Sequence, residues 1–134
     1  MSTLATPAAS PAVAGWPRLI LHAEGAALLA AASFAYGHVG GSWLVFAVLF
    51  LSPDLSMLGY FAGNRIGAAL YNAAHTTVAA VALGAIGIAL GAPWAIDGAL
   101  ILAAHIGFDR MLGYGLKYGT AFGDTHLGTK GKRG

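Results

Sequence analysis

The chain contains no cysteine. Disulfides, thiolate metal sites and cysteine nucleophiles are therefore excluded. Charge is scarce too. Only 9% of the 134 residues are charged, and 57% are hydrophobic. Soluble domains carry roughly 25% charged side chains. Seven Lys and Arg and five Asp and Glu cannot cover a soluble surface of this size. A mean hydropathy of +0.71 points the same way. Disorder is excluded by the apolar content. Glycine is plentiful at 20 residues but follows no G-X-Y period, so a collagen-like chain is excluded. No P-loop, GxGxxG or GxSxG string is present, which removes the nucleotide-binding and serine-hydrolase signatures. The formal charge of +2 lies in the tail without interleaved aromatics, so nucleic acid is not expected as a partner. What remains is a small, one-domain, multi-pass protein of the cell (inner) membrane, with the lipid bilayer as its solvent.

Residues 1–16 are small, Pro-bearing and uncharged, and are expected to form a mobile tail. No basic residue precedes the first apolar run, so a signal peptide is not expected. Four apolar stretches follow, near 17–36, 42–63, 65–91 and 93–117. Each has about the 20 residues that cross a hydrocarbon core as helix. Strict alternation, the mark of a barrel, is missing. The short links GHVGGS, GNR and GAP make neighbouring helices antiparallel. The expected fold is all-α, an up-down four-helix transmembrane bundle over 17–117, followed by a Gly-rich basic cytoplasmic tail over 118–134. Arg18, Arg65, Lys117, Lys130, Lys132 and Arg133 fall on one side of such a bundle, and the other side has no Lys or Arg. Both termini are thus expected in the cytoplasm, with Trp43 and Trp94 at the outer interface. Pro53 should kink the second span and free a carbonyl near Asp54.

The few polar residues within the spans share a depth. Counted at 1.5 Å per residue from the cytoplasmic ends, His22 and Glu24 lie roughly 6–10 Å in, and Asp54, Asn72, His75, His105 and Asp109 roughly 10–18 Å in. A buried charge costs several kcal/mol unless paired or bound to an ion. One such residue snorkels; a layer of them on four helices is better explained as one site. Tyr71, Asn72 and His75 share a helix face, and so do His105 and Asp109 at i and i+4. An H-x-x-x-D pair chelates a metal, or uses the Asp to fix the imidazole tautomer. A lone intramembrane histidine usually packs or hydrogen-bonds, and His22 and His38 are read that way. Imidazole and carboxylate ligands suit Zn, Fe or Mn. Beyond the fourth span, Arg110 and Lys117 lie near lipid headgroups. Asp124 and His126 sit in a Gly-rich segment that folds back over the bundle mouth in one reading, and is a plain basic tail in the other.

The strings SPDLSMLGY (52–60), YNAAH (71–75), AHIGFDRMLGYGLKY (104–118) and FGDTHLG (122–128) resemble a bacterial family of small four-span membrane proteins known only as a domain of unknown function. The resemblance covers about Arg18 to Gly128. Its motif positions fall on Glu24, Asp54, Tyr71, Asn72, His75, His105, Asp109, Arg110, Gly113, Tyr114, Lys117, Asp124 and His126. It implies the fold and the membrane location, and supplies no activity.

Three functions compete. The first is a metal-dependent membrane hydrolase acting on a lipid or amphipathic substrate. His75, His105 and Asp109 would hold the metal, Asp54 or Glu24 would act as general base, and Arg110 and Lys117 would hold a headgroup. Tyr71 and Asn72 would support the site, and Asp124 and His126 would close it. The second is a proton- or ion-coupled transporter working as a homodimer. The third is an accessory subunit of another membrane protein, its polar layer serving as a fold-specifying network. The outer half of the bundle is nearly free of polar groups, which favours an enzyme over a conduit.

Overall fold

A computed structural model describes residues 11–129. The described chain is helical apart from one small hairpin. Its elements run α1 (Gly15–His38), α2 (Trp43–Leu49), a 3-10 segment (Ser52–Ala62), α3 (Asn64–His75), α4 (Thr77–Leu90), α5 (Pro93–Leu112), β1 (Asp124–Thr125) and β2 (Gly128–Thr129). The four simple helices expected from the apolar runs are therefore five α-helices and one 3-10 segment, because the second and third runs are each broken. Two helices are long and apolar enough to cross a membrane, Gly15–His38 and Trp43–Ala62. A third span arises if the bent pair α3 and α4 counts as one. The 20-residue α5 is interrupted by Asp97, His105, Asp109 and Arg110, which lowers its hydropathy.

Each break has a local cause. Pro53 lacks an N–H, so the Leu49 carbonyl loses its i+4 donor. The Asp54 N–H then donates to the Leu51 carbonyl at 3.1 Å, which leaves the Phe50 carbonyl without its helical partner. Beyond Leu51 the chain winds as a 3-10 helix of 11 residues, long for that form. Between α3 and α4 the axis turns by 47°. Thr76 is extended there and caps α4, its hydroxyl accepting from the Val78 N–H at 3.3 Å.

The core is built around α5. It packs against α1 on one side and α4 on the other, while α3 packs on the 3-10 segment. The α1–α5 crossing depends on two glycines. A Cβ at Gly107 would lie 2.5 Å from the Leu29 amide nitrogen, and one at Gly25 the same distance from that of Met111. The backbones are thus in direct contact, as at small-residue crossings in membranes. An aromatic series ties α2 to α5: Trp43 to Phe46 at 5.2 Å, Phe46 to Phe50 at 5.5 Å, and Phe50 to His105 at 5.3 Å between ring centroids.

Helix α5 ends at Leu112, five residues before the expected limit, because Gly113 adopts a left-handed φ of 88°. Residues that read as a loose tail then fold over one end of the helices. Asp124 pairs with Thr129 and Thr125 with Gly128 in an antiparallel hairpin. Lys117 bridges Thr125, and Leu127 is fully buried. The Val13 N–H donates to the His126 carbonyl at 2.8 Å, so the chain just before α1 is held to this hairpin. The rest of the expected N-terminal tail, residues 1–10, and the basic residues Lys130, Lys132 and Arg133 lie outside the described residues. Arg18 lies beside Gly128, and Arg65 beside Gly119. The described basic residues therefore gather at the hairpin end.

Candidate metal centre

Two helix breaks and one unbroken helix bring four side chains to a point. Asp54 comes from the 3-10 segment just after Pro53. His75 is the last residue of α3. His105 and Asp109 stand one turn apart on α5. One ligand atom from each lies within 4.8 Å of all the others. His75 Nε2 is 3.1 Å from Asp54 Oδ1, 3.2 Å from His105 Nε2 and 3.6 Å from Asp109 Oδ2. His105 Nε2 is 3.3 Å from Asp54 Oδ1 and 3.2 Å from Asp109 Oδ2. Four ligands about 2.05 Å from a tetrahedral zinc would be separated by about 3.3–3.4 Å. Five of the six separations in this cluster bracket that value.

The His75 tautomer is set from behind. His75 Nδ1 is 2.8 Å from the Tyr71 carbonyl. A carbonyl only accepts, so Nδ1 carries the proton and Nε2 presents a lone pair inward. The ring of Phe50, whose carbonyl is freed by the break at Pro53, packs edge-on against the His105 ring. His105 Nδ1 itself is buried without a partner at full hydrogen-bond geometry among the described residues. Two imidazole lone pairs and two carboxylates cannot converge in this way without positive charge between them. A divalent cation, or a shared proton, must supply it. Backbone carbonyls behind the imidazoles are a common outer shell for metal-binding histidines.

A cavity of about 240 Å³ opens onto the cluster, lined by Asp54, Met57, Tyr71, Asp109, Tyr114, Lys117 and Phe122. Asp54 is the most accessible of the four, with 30% of its side chain exposed against 12% for Asp109. Tyr71 stacks on His75 with ring centroids 3.7 Å apart, and its hydroxyl reaches Asp109 at 3.4 Å. The Lys117 ammonium donates to the Phe122 carbonyl at 2.7 Å and lies 3.6 Å from the Phe122 ring centre. Burial holds its pKa below the usual lysine value, and the Asp109 and Asp54 charges act in the opposite direction.

The other expected site residues build the frame. Asn72 clamps the backbone of Lys117, its Nδ2 donating to the carbonyl at 2.7 Å and its Oδ1 accepting from the amide at 2.6 Å. Arg110 donates to the His75 carbonyl and to the Tyr114 carbonyl, each at 2.9 Å. Its guanidinium ties the end of α3 to the end of α5 and is engaged with backbone. Asp124 accepts from Thr120 at 2.7 Å and Thr129 at 3.4 Å within the hairpin. Glu24 is exposed on α1 and stands outside the cluster. Residues whose contribution was not legible in sequence are Phe50, Met57, Tyr60 and Phe122. Among them only Phe50, four residues before the Asp that follows Pro53, carried a signal: it owns the carbonyl such a break can free.

His126 accepts from the Leu116 N–H through Nδ1 at 2.9 Å, and its amide donates to the Leu116 carbonyl. That ring accepts only while neutral. Burial, and then the Arg110 charge, hold its pKa below the usual 6.5. The unfolded ring therefore takes up a proton first as pH falls. The hairpin's docking is complete above about pH 6.5 and weakens as pH falls through the lower folded value. Amide hydrogen exchange, corrected for intrinsic rates, should show protection of Leu116 and Leu127 at pH 7.5 that is lost near pH 5. Equal protection at both pH values would refute this.

No curated protein and no solved structure matches the chain. The family comparison, by contrast, takes in every residue of the cluster, the cavity lining and the hairpin. The chain belongs to the family described as a domain of unknown function (DUF4260), whose model matches residues 18–129.

Proposed function

We propose that this protein is a metal-dependent membrane enzyme, a hydrolase acting on a lipid or another amphipathic substrate. One observation carries the reading: ligand atoms of His75, His105, Asp54 and Asp109 converge within 4.8 Å of one another, open on one side to a cavity. The protein crosses the bilayer with four spans in this reading, α5 included, both termini on the cytoplasmic side. Supporting that orientation, Arg18, Arg65 and Lys117 gather at the hairpin end, while Trp43 and Trp94 are exposed in the second span and at the start of α5.

His75, His105 and Asp109 hold the ion, with zinc favoured by the spacing and iron and manganese sharing the ligand chemistry. A bound ion would supply Lewis acidity to the substrate carbonyl. Asp54, the most accessible carboxylate, accepts the proton of the attacking water. Hydrolysis places the water's hydroxyl on the substrate carbonyl carbon, breaks the bond to the leaving oxygen, and returns the proton to that oxygen. Lys117 lines the cavity, with one N–H on the Phe122 carbonyl and its ammonium against the Phe122 and Tyr71 rings. It stabilises negative charge on the substrate there. With a divalent ion offsetting the two carboxylates, Lys117 leaves the cavity net positive, which selects an anionic or ester-bearing end.

The test is elemental analysis of detergent-purified protein together with His75→Ala, His105→Ala and Asp54→Asn. One metal per chain is expected in the wild type and in Asp54→Asn, and none in the two alanine variants. Asp54→Asn should also lose at least about 100-fold in hydrolysis of a responsive ester, the scale of a lost general base. Wild-type protein that holds no metal after reloading with Zn, Fe and Mn would end the metalloenzyme reading. Proton flux in liposomes would then be the measurement that decides for a shared proton at the same four residues.

A further inference from the structure

A second cavity, of about 320 Å³, lies between α2 and α4 with α5 as its floor. Its walls are apolar apart from Ser52 at one edge: Leu49, Leu83, Gly98, Ile101 and Leu102. It exists because both flanking spans are broken beside it, at Pro53 and after Ala74, so neither closes over α5. Those two residues line it as well. Each is followed directly by a member of the cluster, Asp54 and His75. The same stripe of α5 carries Gly98, Ile101 and Leu102, then His105, then Asp109, at steps of three and four residues. At 1.5 Å per residue, Leu102 lies about 5 Å along the helix from His105.

We propose that this cleft holds the hydrocarbon chain of a bilayer lipid, whose polar end reaches the histidine and aspartate cluster. This rests on the metal-enzyme reading above and names its substrate class, an acyl lipid entering sideways from the membrane. Of its walls, Trp43–Ala62 is long and apolar enough to cross a membrane, and α3 with α4 is so when the bent pair counts as one span. The medium that meets it is acyl chain. An apolar cavity of about 150 Å³ already takes up benzene, and this one is about twice as large. An apolar slot continuous along one helix face with a polar cluster fits a molecule with one apolar and one polar end. Such a site extracts its substrate without exposing the chain to water.

The test uses full-length protein in phosphatidylcholine nanodiscs containing a fatty acid with a mid-chain diazirine. After photolysis, adducts are mapped by mass spectrometry. Labelling of Leu83, Ile101 and Leu102 should exceed that of the lipid-facing Val48, Leu58 and Val81 at least tenfold. A Cβ at Gly98 lies 3.5 Å from Leu83 Cδ2, so Gly98→Leu fills the cleft from its floor, and Leu83→Trp fills it from the wall. Either should reduce cleft labelling to the surface level while wild-type metal content is kept, which also reports an intact fold. Uniform labelling, or labelling that both substitutions leave unchanged, overturns the proposal. Metal measured on the same samples separates the two readings. Cleft labelling without metal leaves the chain site standing and removes the enzyme, and metal without cleft labelling does the reverse.

Discussion

Chelation is expected to lower the melting temperature of the wild-type protein and to leave His105→Ala where it was. A ligand that binds only the folded state stabilises it by RT ln(1 + [L]/Kd), about 2.7 kcal/mol when the metal is held at 100 times its Kd. The effect should be large here for a second reason. Without the ion, Asp54 and Asp109 remain beside one another with two buried imidazoles, and unpaired buried charge is costly. His105→Ala removes a ligand from the centre of the cluster and should bind no metal, so chelator has nothing to extract. Thermal unfolding in detergent, with and without chelator, gives the comparison. An equal fall in both proteins would show that the stabilising ion, if one is present, sits elsewhere.

Gly107→Ala is expected to be among the most damaging single changes in the membrane domain. The added Cβ would meet the Leu29 amide nitrogen at 2.5 Å and the Gly25 carbonyl oxygen at 2.7 Å. Both are backbone atoms in a helix, and neither can turn away as a side chain would. Overpacking of a tight core costs about 1–3 kcal/mol and occasionally more. With no rotamer to yield, the upper end or beyond applies. Gly84→Ala is the control. Its Cβ would find only the Ala99 methyl at 3.4 Å, and a small shift accommodates it. Unfolding in a mixed-detergent titration should separate the two variants clearly. A Gly107→Ala protein as stable as Gly84→Ala would mean that α1 and α5 cross elsewhere.

Depth along the chain was legible; direction around a helix was not. Counting from the basic residues placed Asp54, His75, His105 and Asp109 in one layer, and the folded chain gathers those four. The same count placed Glu24 in that layer. Yet Gly25 is buried against α5 and Glu24 is exposed. With apolar residues all round α1, no amphipathic stripe showed which side meets the protein. The break at Pro53 was legible because proline removes a donor. The break at Thr76 was not, since a threonine within an apolar run is common in membrane helices and costs little by itself. Asn72, Arg110, Asp124 and His126 were visible as polar residues in sequence. That three of them bind backbone, and that Asp124 binds hydroxyls of its own hairpin, depends on a fold of residues 113–129 that has too few apolar positions to set a period.

The α1–α5 crossing also sets an order of assembly. Helix α1 takes α5, four helices further along the chain, as its main neighbour. While the ribosome is still producing the middle of the chain, Gly25 and the groove around it face lipid, with nothing to fill them. Such widely separated contacts close late and slowly. The four clustered side chains cannot meet until α5 has been delivered, and the cavity lacks its Tyr114, Lys117 and Phe122 lining until the segment after α5 follows. A product cut short before α5 therefore has neither its central packing nor half of its polar cluster.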